Sequence, residues 1–331
     1  MTRLLTYRNF PGFPFTVSAA PPVCAAIADK ALNLLAKRSG RSIWRLSDCP
    51  PHAVRLLRER HLLPERSVPF PGKKGSKYLS VGPGAETWAL VNEVEHLTFG
   101  QVFPGLLAAE DFEAAYIRAE EIRPDEGGSS WSWSPKLGYL SSHPERIGPA
   151  LGVELLVHLP GLALARKLPQ ARNAMSALGI AFFPARALGN GEPEAGLFFL
   201  KSRGGAGKSA DRVYADFLGS VQPLLAWERR LQLRCLEKHH KRLEDRVQDS
   251  LRRLMQARVL SYPELLARSS YLRLGAYLAI LPPQITGIAE ELRVVAGSGH
   301  LGVSSGGILA KEEEDIRRAN VVRLALETRH V

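Results

Sequence analysis

The sequence predicts a mixed α and β first half and a helical second half. Three observations carry that reading. Short apolar runs bounded by Gly, Pro or polar turns recur up to about residue 202. After residue 210 the apolar residues repeat at helical spacing instead. The 331 residues are 45% hydrophobic and 23% charged, ordinary for a soluble globular protein and long enough for two domains. These values exclude a mostly disordered chain, a collagen-like chain and a coiled-coil rod. No stretch approaches ~18 uncharged apolar residues, so no transmembrane helix is expected. The opening ten residues lack an apolar h-region before Arg8, so no secretory signal is expected.

The elements follow in order. Residues 22–38 place apolar groups at helical spacing, and residues 51–61 form a second, shorter helix candidate. Strand candidates are Thr87–Asn92, Val153–His158, Ile180–Pro184 and Gly196–Lys201. Residues 124–135, Gly189–Gly191 and Gly204–Gly207 read as loops. Beyond them, Val213, Phe217, Val221, Leu224, Leu231, Leu243, Val247, Leu251 and Leu254 mark a long helical run that Pro223 is expected to kink or break. Residues 263–281 and 312–327 also read as helices, with the glycine-rich piece 297–307 as a loop between them. A domain boundary falls near 235–240.

The formal net charge is +11, and 32 of the 44 basic residues are Arg. That favours the planar, bidentate cation suited to phosphate and carboxylate. A GC-rich coding sequence gives the same bias, so a phosphate site or nucleic-acid surface stands beside that plain reading. Against nucleic acid, the basic residues are scattered and few aromatic residues stand among them. Cys24, Cys49 and Cys235 are far apart and odd in number. They draw neither a zinc spacing nor a disulfide framework, and a reducing cytoplasm fits them.

Two local motifs mislead. Gly204-Gly-Ala-Gly-Lys-Ser209 approaches a P-loop, but the full motif needs Gly at position 202, where Ser202 stands. His239 and His240 are adjacent, so they point to different helix faces and cannot share a metal as an i, i+4 pair could. No metal site is expected.

Several segments resemble one family in order along the chain. Val91–Thr98 (Val-Asn-Glu-Val-Glu-His-Leu-Thr) resembles the Val-Asn-Glu-Glu-Asp-His-Leu-Arg segment of the phosphagen (ATP:guanido) phosphotransferases. Gly138–Gly148 resembles their Gly-Tyr-Leu-Thr-Ser-Cys-Pro-Thr-Asn-Leu-Gly, and Val153–Pro160 their Ala-Ser-Val-His-Ile-His-Leu-Pro strand. Arg8–Phe15, Arg60–Leu62 and Arg186–Glu192 resemble three further segments. Leu243–Val247, Arg273–Gly275 and Glu314–Ala319 resemble the C-terminal region of the bacterial protein-arginine kinases, the last their Arg-Asp-x-x-Arg-Ala phosphoarginine-recognition motif.

The resemblance implies an α+β fold: an antiparallel β-sheet flanked by helices, glutamine-synthetase-like, followed by a helical C-terminal domain. It implies a phosphotransferase-like domain over 1–237 and a dimerisation and phosphoarginine-recognition-like domain over 238–331. The family moves the γ-phosphoryl of Mg-ATP to a guanidinium nitrogen, and such transfer rests on positioning and charge stabilisation. Of about five phosphate-binding arginines in the family, Arg3 and Arg186 keep their positions, and Leu5, Thr98 and Gly152 occupy the other three. His61, a nucleotide-contacting position, is kept. The catalytic carboxylate falls at Val94. Glu93 and Glu95 flank it, and on a strand they face away from Val94. The second carboxylate survives as Glu192, and the reactive cysteine becomes His143. In the C-terminal motif, Asp315 would hold a guanidinium and Arg318 a phosphate, with Glu314 repelling it.

Losing a general base costs about 10²–10⁴ in rate. Each lost preorganised charge donor costs roughly 10²–10³, and even strong non-additivity leaves little activity. The chain therefore reads as a catalytically impaired member, a pseudokinase acting as a binding or regulatory protein. The alternative is an active ATP-dependent protein-arginine kinase in which Arg146, Lys201 or Arg203 restores the phosphate charge. Whether the chain is an enzyme stays open between the two. Mg-ATP is the expected cofactor if it is active, and none otherwise. The expected partners are a second copy in a homodimer and a protein substrate or phosphoarginine-bearing protein, such as one of a Clp-type chaperone–protease system. Neither a membrane nor a nucleic acid is expected as partner, and the cytoplasm is the expected location.

Overall fold

A computed structural model describes residues 1–63, 76–120, 131–186 and 193–328. Strand β1 (Thr2–Arg8) is buried along its whole length. Helix α1 (Pro21–Ala36) follows, with proline in its first turn, where the missing N–H costs nothing. Next come β2 (Ser42–Arg45), α2 (Pro51–Glu59), β3 (Tyr78–Val81), β4 (Thr87–Val91), β5 (Leu97–Phe103) and α3 (Ala109–Glu120). The short strands β6 (Trp133–Ser134) and β7 (Gly138–Tyr139) form a separate ribbon. Then follow β8 (Leu151–His158), α4 (Pro160–Leu164), α5 (Leu168–Ala177), β9 (Ile180–Arg186) and β10 (Pro193–Ser202). The helical remainder is α6 (Ala210–Gln256), α7 (Tyr262–Tyr277), α8 (Ile285–Val295), α9 (Ser298–Ser304) and α10 (Lys311–Glu327).

Eight strands form one sheet in the order β2-β3-β4-β5-β1-β8-β10-β9, and every pairing is antiparallel. Side chains alternate between its faces. On one face, Leu4, Val153, Leu155, Val157, Phe198 and Leu200 pack against α6 through Val213, Phe217, Val221 and Leu224. The same face continues onto α1, where Ala89, Val91, Leu97 and Phe99 meet Ile27, Ala31 and Leu35. The other face is covered only in part, by Val54 and Leu57 of α2 with Leu62 and Leu63 and, at its far end, by α7, whose Ser270 lies 2.7 Å from His158. Because β1 is central and buried along its whole length, with Arg3, Thr6 and Arg8 buried among its apolar residues, it carries no polar–apolar alternation, which hides it from a period-2 reading.

A second core joins Val247 and Leu254 of α6 to Leu265, Leu272, Ile288, Leu292, Val322 and Leu326. Helix α6 has 47 residues and serves both cores. Pro223 does not break it; the irregular residue is His239, at φ −138° and ψ 32°. Pro223 is solvent-exposed, so the carbonyl it leaves unpaired one turn back is open to water. The expected loop over 297–307 is also corrected, because Ser298–Ser304 is helical. Its glycines serve close approach: a Cβ on Gly299 would meet the backbone of Leu56, and one on Gly302 would lie 2.8 Å from the Cβ of His52. Helix α9 thereby lies directly against α2. Among the described residues, no helix is long and apolar enough to cross a membrane.

Candidate active site

The half-open sheet face carries a cavity of about 500 Å³, lined by residues of six strands with Arg58, His61, Leu63, Glu93, Val94 and Arg146 around the rim. Strand register builds its floor. Leu90, Thr98 and Tyr7 stand side by side on β4, β5 and β1. Trp88, Gly100, Leu5 and Gly152 form the next row, across to β8. The row beyond holds the charges, with Arg3 opposite Glu154 and Glu154 opposite Lys201. The two glycines have a steric reason. Trp88 lies flat across Gly100, and a Cβ on Gly152 would stand 2.8 Å from the Tyr7 hydroxyl.

Glu154 is the electrostatic centre. Its carboxylate lies 3.3 Å from Arg3 Nη1 and 2.5 Å from Lys201 Nζ. Burial alone would raise this carboxyl, but Arg3, Lys201 and Arg146 outweigh burial and hold it below the ordinary range. The cations also lie over rings: Arg146 over Tyr7 at 4.2 Å, Arg3 over Trp88 at 5.6 Å and Lys201 over Phe183 at 5.1 Å. Burial pushes the Tyr7 phenol up to about 12. His61 follows α2 in the left-handed region, at φ 56°, with its ring edge-on to Phe199. Burial, then Arg293, Arg3 and Lys201, push its imidazolium far below the usual range. The neutral ring accepts from Arg293 Nη1 at 3.3 Å. Three buried donors here, Arg3 Nε, Trp88 Nε1 and Arg146 Nη1, have no hydrogen-bond partner among the described residues.

The segment around Val94 departs from expectation. Residues 92–96 are a bend between β4 and β5, not strand, and Asn92 sits at φ 55°. Strand alternation therefore does not apply, and Glu93 and Val94 line the same cavity. Glu95 turns into the protein. It accepts from Asn9 Nδ2 at 2.7 Å, Ser141 Oγ at 2.5 Å, and Ser142 N and Oγ at 3.1 and 2.8 Å. Burial opposes its charge, but those hydrogen bonds prevail and hold its carboxyl below the ordinary range. Arg146 Nη1 stands 3.9 Å from Glu95, so this fixed carboxylate also sets the approach of Arg146 to the cavity.

The C-terminal motif folds into a different arrangement. Arg318 is fully buried. Its Nε donates to the Ala296 carbonyl at 2.8 Å and its Nη1 to the Leu260 carbonyl at 3.0 Å. Nη1 also bonds Asp315, and Nη2 bonds Glu314 and, at 3.4 Å, Ser298 Oγ. A guanidinium has five N–H donors, and all five are engaged. Glu314, expected to repel a phosphate, is instead a partner of Arg318 and lies 3.9 Å from Arg55 of α2.

The structure thus brings Arg3, His61, Glu93 and Val94 together, and places Asp315 and Arg318 in a separate cluster. Arg186 ends β9, but its side chain, like all of Glu192, lies outside the described residues. Of the three replacements considered for phosphate charge, Arg146 and Lys201 line the cavity and Arg203 does not; His143 is also absent from its lining. Sequence reasoning missed Arg58, Tyr7, Trp88 and Glu154 as cavity residues. Glu154 left a signal, a lone charge inside the apolar run Leu151–Val157.

Residues 25–231 match the family model for the ATP:guanido phosphotransferase C-terminal catalytic domain, and residues 240–330 that for the protein-arginine kinase McsB C-terminal domain. A protein-arginine kinase of Geobacillus stearothermophilus is 32% identical over 292 residues, covering 87% of this chain and 78% of the relative. Another from Halalkalibacterium halodurans is 28% identical over 335 residues, covering 98% and 91%. Among solved structures, a lombricine kinase superposes with a TM-score of 0.58 at 18% identity, covering 72% of this chain and 66% of that one. A duplicated taurocyamine kinase of Schistosoma mansoni gives 0.58 at 15% identity, covering 77% and 38%. These structures share the sheet and its flanking helices; the sequence relatives carry the kinship further, and the chain belongs to the ATP:guanido phosphotransferase family, among the protein-arginine kinases.

Proposed function

We propose that this chain is a catalytically impaired protein-arginine-kinase-like protein that acts by binding or regulation. The observation that carries the reading is the cavity floor. The three positions where the resemblance puts phosphate-binding arginines are Leu5, Thr98 and Gly152, which form one face with Tyr7 and Trp88. No guanidinium rises from these three positions. Two of the remaining cations, Arg3 and Lys201, are already answered by Glu154. The cavity therefore does not fit Mg-ATP held in a five-arginine clamp, and Val94 offers no proton acceptor where the family's carboxylate stands. In this reading the partners are a second copy and a protein such as one of a Clp-type chaperone–protease system of the cytoplasm, recognised elsewhere than at Arg318, whose donors are spent.

One observation favours the active alternative. Glu93 shares the cavity with Val94, and Arg58, Arg146 and Lys201 bring positive charge to its wall. Glu93 would then accept the guanidinium proton. The test is ADP release from Mg-ATP with an arginine-rich unfolded protein as acceptor. Impairment predicts no turnover, and Val94→Glu alone restores none because the floor still lacks its arginines. Turnover near ~1–100 s⁻¹ that Glu93→Gln abolishes establishes the active kinase instead.

A further inference from the structure

We propose that the exposed face of α6 just before the His239 kink is a docking surface for an acidic protein segment. Arg230, Arg234 and Lys238 are exposed and stand four residues apart on one helix face. Consecutive positions are about 6 Å apart along the axis. None has an ion-pair partner among the described residues, whereas several other charges along α6 are answered. Arg212 meets Asp216 at 2.9 Å, Arg268 reaches Asp249 at 2.5 Å, and Arg253 meets Glu264 at 2.8 Å. Like charges at i, i+4 destabilise a helix, so an unanswered row is a cost that an acidic partner would remove. Lys241 and Arg242, also exposed, continue the charge beyond the kink.

Two neighbours on this face decide the class of partner. Glu237 lies between Arg234 and Lys238, exposed and likewise without an ion pair among the described residues. A nucleic-acid backbone would set phosphate against it. A protein segment can place a cation there and carboxylates on either side. Leu233 is 41% exposed on the same face and offers an apolar anchor, while residues 229–242 contain no Phe, Tyr or Trp on which a base could stack. Carboxylates four apart on a helical partner repeat at the same ~6 Å interval as the cations.

The probe is a labelled 18-residue helical peptide with glutamates four apart and one lysine placed to face Glu237, read by fluorescence anisotropy near physiological salt. The expected result is saturable binding that Arg234→Glu with Lys238→Glu weakens about tenfold or more, as lost complementarity requires. Glu237→Lys should also weaken it, although that change makes the protein more basic. Lys167→Glu with Arg172→Glu, an equal charge change elsewhere on the exposed surface, should leave affinity within about twofold. A DNA duplex that binds more tightly than the peptide and tightens further with Glu237→Lys would overturn the proposal in favour of a polyanion surface. Equal losses in both double variants would reduce the effect to net charge. No peptide binding would leave a merely solvated face.

Discussion

The cavity on the sheet and the cluster around Arg318 use the same chemistry to opposite ends. In both, a buried arginine meets a carboxylate. At Arg318 five donors find five acceptors and the guanidinium itself is closed to solvent. At the cavity, Arg3 keeps an unpartnered Nε, Trp88 an unpartnered Nε1, and Lys201 stays partly exposed. A closed network holds helices together; an open one has donors left for a ligand. The family motif alone does not separate these cases, because it records residue types and not whether their hydrogen bonds are already spent.

The largest expected effect breaks the closed network. Arg318→Ala strands Glu314, Asp315 and two carbonyls, and removing one partner of a buried pair costs about 3–5 kcal/mol. Chemical denaturation should show that loss, and Arg318→Lys should recover little because an ammonium cannot reproduce the planar fork. The open network should respond differently. Glu154→Gln leaves Arg3 and Lys201 facing each other, but Lys201 can turn to water, so the loss should be about 1–3 kcal/mol. The same change should tighten pyrophosphate or ATP binding in calorimetry, since two cations are released toward the cavity. If Glu154→Gln instead weakens anion binding, Glu154 is part of the ligand site and the contrast fails.

Between the regions lies Glu59 at the end of α2, a buried carboxyl accepting the Gly299 N–H at 2.8 Å. Burial pushes it up to about 7, against the Gly299 and His300 amides and Arg55, which pull it down. A raised acid pKa means that the folded state binds the proton more tightly. Its contribution is full below the unfolded value near 4.5 and is lost as pH rises toward 7. The loss is on the order of 2–3 kcal/mol. His61 and His158, pushed down mainly by burial, run the other way and lose stability as pH falls. The informative measurement is therefore the difference between wild type and Glu59→Gln. That difference should move in favour of the variant between about pH 5 and 7; a pH-independent difference would place the titration elsewhere.

How much of this was legible in the sequence depends on what each residue answers to. The strands at 87–91, 151–158 and 180–186 were visible as short apolar runs bounded by turns, and the long helix from 210 because its apolar residues recur at helical spacing. Strand β1 was hidden because Arg3, Thr6 and Arg8 interrupt its apolar residues although all of it is buried. Helix α9 was read as a loop because its glycines answer to the surface of α2, a neighbour some 240 residues away in sequence. At the site, the substitutions at 5, 94, 98 and 152 were legible by resemblance. That Glu93 shares a wall with Val94 was not, since it depends on a bend at Asn92 where alternation predicted a strand. Nor was the burial of Arg318, because a motif does not report which carbonyls of α8 and the α6–α7 connection its arginine meets.

The smallest effect concerns Glu314 and sharpens the contrast most finely. Its carboxylate accepts from Ser298 Oγ at 2.5 Å, bonds Arg318, and lies 3.9 Å from Arg55. It stands where a phosphate beside Arg318 would have to stand, held by the groups that would hold that phosphate. Wild-type protein should therefore give no response to phosphoarginine, for which Asp315 would take the guanidinium. Glu314→Ala frees one Nη2 donor and the Ser298 hydroxyl at a stability cost of about 1–2 kcal/mol. Those released donors should admit phosphoarginine weakly, near a millimolar Kd, roughly −4 kcal/mol. Glu314→Arg should bind more tightly, since a charge-assisted contact replaces a carboxylate, and Asp315→Ala on that background should lose the ligand. The assay is an NMR titration of the Ser298 and Gly299 amides. If phosphoarginine leaves both Glu314 variants as unperturbed as wild type, the Arg318 cluster is a structural staple between α2 and the C-terminal helices, and of the two buried arginine networks the cavity on the sheet alone has donors for a ligand.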